Sequence, residues 1–217
     1  MTMVGFILSK MNLLVLVTAI FVIVTYFSFG FSEVMLAQKA VYLINEYATP
    51  IQNMVNSPNL CVTTTYQLPA VIKYFGGKEF FYKIKINKII STDEVSPNYI
   101  VFALSGRGKK STVIAAKKIE TSAEIHLFST LDPETGETTT SLFDYTDTDE
   151  IVLDPQSKSS VDSIYLAKQI NDGKGYVFLM TCSAAQNTCK INEPKIGDAI
   201  KSMEGFSDES ICVKGSS

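Results

Sequence analysis

The sequence predicts an α+β protein: a long N-terminal helix, transmembrane and then amphipathic, followed by a β-rich domain built as an antiparallel sheet or a sandwich. Three observations predict it. Residues 11–32 carry no charge, residues 33–57 place apolar side chains at intervals of three and four, and after Pro58 the apolar period falls to two.

The run MNLLVLVTAIFVIVTYFSFGFS, Met11 to Ser32, is 22 residues long. A helix needs about 20 apolar residues to cross the hydrocarbon of a bilayer. The run contains no proline, and its polar members Asn12, Thr18, Thr25, Tyr26 and Ser28 are small or amphipathic. A helix satisfies its own backbone groups in lipid. Tyr26, Phe27, Phe29 and Phe31 crowd its far end, where aromatic rings favour the headgroup boundary. Residues 1–10 are then expected to be a cytoplasmic N-terminus, residues 11–32 the span, residues 33–57 a helical stalk and residues 58–217 an extracytoplasmic domain. Two alternatives compete with a span. One is a buried core helix. The other is a cleaved signal peptide with Ser28 and Gly30 at its processing site, although the apolar run exceeds the ~7–15 residues of a usual signal core.

Beyond Glu33, the residues Ala37, Val41, Ile44, Ala48, Ile51 and Val55 recur at three and four, leaving Gln38, Lys39, Asn45, Glu46, Gln52 and Asn53 for the other faces. The stripe needs a partner, and the following domain is the nearest. Thr49-Pro50 predicts a kink, with a second short helix restarting there, because threonine caps helices and proline suits a first turn.

Strands are expected in LCVTTTYQL, in Tyr82–Asn87 after a Gly76-Gly77 turn, and at Tyr99–Leu104, Thr112–Ile119, Glu124–Thr130, Thr138–Tyr145 and Tyr176–Thr181. The segments VDSIYLAKQI and PKIGDAIKSMEGF read as short helices.

All four cysteines, Cys61, Cys182, Cys189 and Cys212, follow the span, and none forms a CxxC pair. An even number beyond an anchor fits an oxidising compartment. The spacing of Cys182 and Cys189 suggests a local clip, which would leave Cys61 to join Cys212. Four reduced, buried thiols are the alternative. The cysteine spacings match no four-ligand zinc site, so no metal and no cofactor are expected.

Nineteen basic against 22 acidic residues, a net charge of −3, exclude the electrostatic footprint of a nucleic-acid binder. SGRGKKS lacks the order of a phosphate-binding loop and reads as a hairpin turn, with Gly106 and Gly108 supplying positive φ. The acidic run Asp144, Asp147, Asp149, Glu150 and Asp154 lacks the glycine and glutamate spacing of a calcium loop and reads as solvated surface. Any histidine-dependent catalysis rests on His126, whose alternating context AEIHLFS makes it an ordinary strand residue. No catalytic residue is assigned, and nothing in the sequence names a protein partner.

The chain begins MTMVG-FILSK. With its apolar helix running into an amphipathic one and then a β-rich domain with late cysteines, it resembles type IV pilins and related pilin-like proteins. NLCVTTTYQLP followed by GGKEFFYKIKI is similar to archaeal membrane-anchored proteins of that layout. The resemblance implies processing between Gly5 and Phe6, a filament core of residues 6–48 with self-association through that helix, and an exposed head of residues 58–217. Two departures stand out: Met1–Val4 has no basic residue, and Lys10 occupies the place of the family's glutamate. Two functions follow as expectations: a membrane-anchored, pilin-like or surface-assembly subunit in contact with lipid, or a binding or accessory module tethered by an uncleaved signal anchor.

Overall fold

The computed structural model describes residues 3–58, 61–92, 96–108, 112–129, 148–158, 160–171 and 173–201. The chain opens with α1 (Met3–Val55), a single helix of 53 residues. At a rise of about 1.5 Å per residue it is roughly 80 Å long. The strands follow as β1 (Cys61–Gln67), β2 (Ile72–Lys73), β3 (Glu79–Phe80), β4 (Tyr82–Ile89), β5 (Asn98–Gly106), β6 (Val113–Thr121), β7 (Glu124–Phe128), β8 (Glu150–Leu153), β9 (Ser163–Asn171) and β10 (Lys174–Cys182). The last described element is α2 (Thr188–Lys201). The expected α+β class, a long apolar helix followed by a β-rich domain, is the class observed.

Two four-stranded sheets, ordered β1-β9-β10-β7 and β6-β5-β4-β8, face one another, and β2 and β3 form a separate small hairpin. Pairing is antiparallel except between β7 and β10, which run parallel. Alternation along β4 and β5 turns Tyr82, Ile84, Ile86, Ile100, Phe102 and Leu104 inward. They meet Ile125, Leu127, Ile164, Leu166, Val177 and Leu179 from the opposite sheet in one continuous core. On the β7 side the sheets are stitched by the Thr148 amide, which donates to the Leu127 carbonyl at 2.9 Å.

The other side is filled by α1. Ala40, Leu43, Ile44, Ala48, Ile51, Met54 and Val55 are buried in the same core as the strands. The Tyr47 hydroxyl donates to the Gln67 carbonyl at the end of β1 (2.6 Å), while Asn56, just past the helix, reaches the Glu120 carbonyl of β6. From the inner face of β9, the Lys168 ammonium donates to the Ser57 carbonyl, next to the negative end of the helix dipole. Burial pushes the Lys168 pKa down.

Several expectations need correction. The helix continues through Thr49-Pro50 rather than restarting there. Proline leaves one carbonyl of the preceding turn without its usual partner, but Ala48 and Ile51 on either side are fully buried, and that packing holds the helix in place. The buried stripe is also rotated from the one expected, since Ala40, Leu43 and Met54 join it while Val41 lies exposed.

VDSIYLAKQI is not a helix: residues 163–171 form β9, paired on both sides. Its two faces are both covered, Ile164 and Leu166 by the main core, Tyr165 and Ala167 by a second cluster under α2. A strand buried on both faces reads as a continuous apolar run and loses its period of two. The helix expected from Pro194 starts six residues earlier, at Thr188, with Pro194 inside it.

Among the described glycines, positive φ is found at Gly76, Gly77 and Gly173 rather than at Gly106 and Gly108. Gly106 has a different role: a Cβ there would lie 3.1 Å from the Phe80 ring. The expected strand Thr138–Tyr145 lies outside the described residues.

Tyr82 is fully buried, and its hydroxyl donates to the Pro69 carbonyl at 2.5 Å. Burial, with smaller contributions from Tyr47 and Asp162, pushes its pKa well above the usual 10.0. A raised folded pKa means that this contribution to stability is intact below pH ~10 and is lost as pH climbs beyond it. Tyr82→Phe is expected to cost about 1 kcal/mol at neutral pH, by taking a donor from a buried carbonyl, and to make the alkaline decline shallower. Urea unfolding at neutral pH and above pH ~10 measures both effects.

Candidate functional site

Three places on the molecule are candidates. The first is the exposed part of α1. Its apolar stretch passes the length and composition test for a membrane span, and none of that stretch is buried inside the protein. From Met11 to Phe31 the large apolar side chains are exposed, as they must be if lipid or another helix is to cover them. The hydroxyls within it are satisfied on the helix itself: Thr18 donates to the Leu14 carbonyl (2.6 Å), Thr25 to Phe21 (2.7 Å) and Ser28 to Val24 (2.7 Å). This back-bonding satisfies these three hydroxyl protons without water, as a helix covered by lipid requires. Gly5 and Phe6 fall in the first turns of the same helix.

The second candidate is the corner where β1, β9 and β10 meet α2. Cys182 at the end of β10 is disulfide-bonded to Cys189 in the first turn of α2, with Cα atoms 5.0 Å apart, so the expected local clip is present. Cys61 is disulfide-bonded as well. Its expected partner, Cys212, lies outside the described residues. The clipped loop turns at Asn187, which has φ of 54°. The Ser183 amide donates to the Thr188 hydroxyl at 2.6 Å, and the Gln186 amide to the Ser183 hydroxyl at 3.3 Å.

Asp162 organises this corner. Its carboxylate accepts from the Gln67 side chain (3.1 Å), the Ser163 hydroxyl (3.0 Å) and the Ala184 amide (2.9 Å), and its own carbonyl accepts from the Leu68 amide (2.7 Å). One residue therefore joins β1, β9 and the disulfide loop. The sequence does not reveal this role, because VDSIYLAKQI reads as a helix, in which an aspartate at the second position would only favour the first turn. Asp162→Ala is expected to cost about 2 kcal/mol, in the range of hydrogen bonds to a charged group. Hydrogen exchange at Ala184 would rise with it, more than at amides of the central strands.

Beside the clip lies an open groove of about 470 Å³, lined among others by Thr65, Gln67, Tyr165, Asn187, Lys190 and Glu193. The Tyr165 hydroxyl donates to the Glu193 carboxylate at 3.1 Å. Burial first, then the Glu193 charge, pushes the Tyr165 pKa up, so this phenol remains a donor at neutral pH. The groove offers hydroxyls, amides, one carboxylate and one ammonium. That set suits hydrogen bonding to a polar ligand, and the lining holds no histidine or free thiol to serve a nucleophile.

The third candidate is His126, the one histidine of the chain. On β7 it is 8% exposed, and its ring stacks on Phe178 and Tyr176 at 5.2 and 6.4 Å. Its Nε2 lies 3.4 Å from the Glu124 carboxylate, which also pairs with Lys174 at 2.6 Å. Aromatic stacking on a sheet face gives the residue a packing role, in line with its reading as an ordinary strand residue.

The described acids of the run after Asp147 are paired. Asp149 faces Lys88 (3.8 Å), Glu150 faces Lys85 (2.7 Å), and Asp154 faces Arg107 (3.3 Å) and Lys83 (3.8 Å). These pairs tie β8 to β4, so the segment read as solvated loop includes a strand. Asp144 and Asp147 lie outside the described residues. Among the described residues no group of three or more histidine, cysteine, aspartate or glutamate side chains is placed to hold a metal ion.

No family model, curated protein or solved structure matches this chain.

Proposed function

We propose that the chain is a single-pass membrane-anchored structural protein, a pilin-like or surface-assembly subunit that displays its β-rich domain outside the cytoplasm. One observation carries this reading: α1 is a single helix with two environments. Residues 11–31 present apolar side chains outward, while residues 40–55 are part of the core of the sandwich. Such a helix transmits the position of its exposed half rigidly to the folded domain, which a flexible tether does not do. Lipid covers the exposed half in the membrane, and in an assembly the same half packs against copies of itself. The oxidised cysteines support an oxidising compartment for the domain.

Intact mass and N-terminal sequence of the membrane-extracted protein, with crosslinking of the full chain, test the proposal. A start at Phe6 and crosslinks between residues 6–48 of different copies support an assembly subunit. A second reading, a tethered binding or accessory module, is favoured by the polar groove beside the disulfide clip. An intact Met1 or Thr2 on a monomeric chain would support that reading and sink the first.

A further inference from the structure

The β2–β3 hairpin is tied to the main core by Ile72 and Phe80, but its tip is not part of that core. Its tip is a tight turn, Phe75–Gly77, closed by the Tyr74 amide donating to the Lys78 carbonyl (3.0 Å) and the Gly77 amide to the Tyr74 carbonyl (3.2 Å). The turn depends on Gly76 and Gly77, with φ of 69° and 75°, a region that side-chain-bearing residues rarely occupy. No core burial accounts for what this geometry presents: Phe75 is 47% exposed, and none of the three turn residues is buried.

The place of the turn accounts for it better. The Phe75 ring sits edge-to-face on Phe31 of α1, with centroids 5.8 Å apart and planes at 88°. Below it, an open apolar cleft of about 360 Å³ is lined by Phe75 together with Ile23, Val24, Phe27, Ser28 and Phe31 of the helix. Ile23 lies nine positions before Ser32, the end of the uncharged run. At the helical rise that is about 13 Å inside it. Phe75 therefore lies level with the aromatic end of the stretch read as the span. Lys73 and Lys78 flank the turn, and Lys73 pairs with Glu79 across a solvent-facing gap of 3.9 Å. Long cationic stems beside an apolar tip suit the phosphate level of a bilayer, where lysines snorkel and aromatic rings settle.

We propose that the Tyr74–Lys78 turn is a second membrane contact, which inserts Phe75 into the headgroup and upper acyl region of the phospholipid leaflet around α1. The inference rests on the reading of α1 as a span and adds to it: the domain rests on the lipid surface at two points, with its tilt about the helix fixed. Phospholipid is favoured over a second copy of the chain because the cleft is continuous with the lipid-facing side of the helix. The turn also carries an apolar tip between cations, which suits the layered chemistry of a leaflet edge.

The chain contains no tryptophan, so single reporters can be placed without background. Phe75→Trp, Phe21→Trp and Ile90→Trp are each made in the full chain and reconstituted in phosphatidylcholine vesicles with or without brominated acyl chains. Phe21 marks the span. Ile90 follows β4, at the end of the sheet where Asn56 of the helix terminus meets β6, far from Phe31.

Phe75→Trp is expected to emit at shorter wavelength than Ile90→Trp and to lose most of its intensity in brominated lipid, as Phe21→Trp does, while Ile90→Trp is unchanged. Unquenched Phe75→Trp beside quenched Phe21→Trp would overturn the second contact and leave the span standing. Loss of quenching at both sites would overturn both. A blue-shifted but unquenched Phe75→Trp would mean that protein, a second copy included, covers the turn, and would also overturn the proposal.

Discussion

A chain shortened to begin at Glu33 is expected to fold as a soluble monomer, whereas one that begins at Pro58 is expected to show no cooperative unfolding at all. The second truncation removes Leu43, Ile44, Ile51, Met54 and Val55, all buried in the main core, together with Ala40 and Ala48. At roughly 2 kcal/mol for each of the five larger side chains, their burial contributes about 10 kcal/mol. That is as much as the whole net stability of an ordinary domain, about 5–15 kcal/mol. The truncation also opens the side of the sandwich between β1 and β6, and it takes away the Ser57 carbonyl that Lys168 engages. The first truncation leaves the helix residues of the core in place, since these begin at Ala40. Thermal unfolding followed by circular dichroism separates the two cases. A cooperative transition for the chain that begins at Pro58 would mean that α1 is an appendage rather than part of the domain.

The second large effect is expected at Phe178. This side chain is fully buried on the face of β10 opposite the main core, in a cluster with Phe128, Tyr165, Met180 and Ile196 under α2. Its ring stacks on three others, His126 at 5.2 Å and Phe128 and Tyr176 at 6.5 Å each. Phe178→Ala is expected to cost about 4 kcal/mol, because the lost transfer free energy is compounded by a cavity that rigid strands cannot close. Val177→Ala on the other face of the same strand removes less volume and should cost less, about 2 kcal/mol. Denaturant midpoints at unchanged slope measure both. A Phe178→Ala cost below that of Val177→Ala would contradict the place given to α2 and its cluster.

How legible these features are in the sequence depends on periodicity. The exposed half of α1 is plain, since an uncharged run of that length has few other uses. The strands exposed on one face, such as β4 with Tyr82, Ile84 and Ile86 inward, carry their alternation openly. Where burial covers both faces the alternation vanishes, and β9 reads as a helix because Ile164, Tyr165, Leu166 and Ala167 are all buried. The proline at position 50 points to a break that tertiary packing overrides. β8 is hidden by acids whose partners, Lys85 and Lys88, are on a strand more than 60 positions earlier, a relation no local pattern encodes. The Cys182–Cys189 clip is readable from spacing. The hub at Asp162 is not, because its partners Gln67 and Ala184 come from distant strands and loops. Phe75 in its glycine turn carries no signal of its own; only the approach to Phe31 gives it a place.

Labelling with a membrane-impermeant maleimide tests the membrane reading most directly, using full-length chains in which one cysteine is added, Ile90→Cys in the domain or Val17→Cys in the apolar stretch. On intact cells Ile90→Cys is expected to label while Val17→Cys labels only after detergent, with both chains retained in the membrane through carbonate extraction. Release of the chain by carbonate, or an Ile90→Cys that labels only after lysis, would contradict a single-pass anchor with its domain outside.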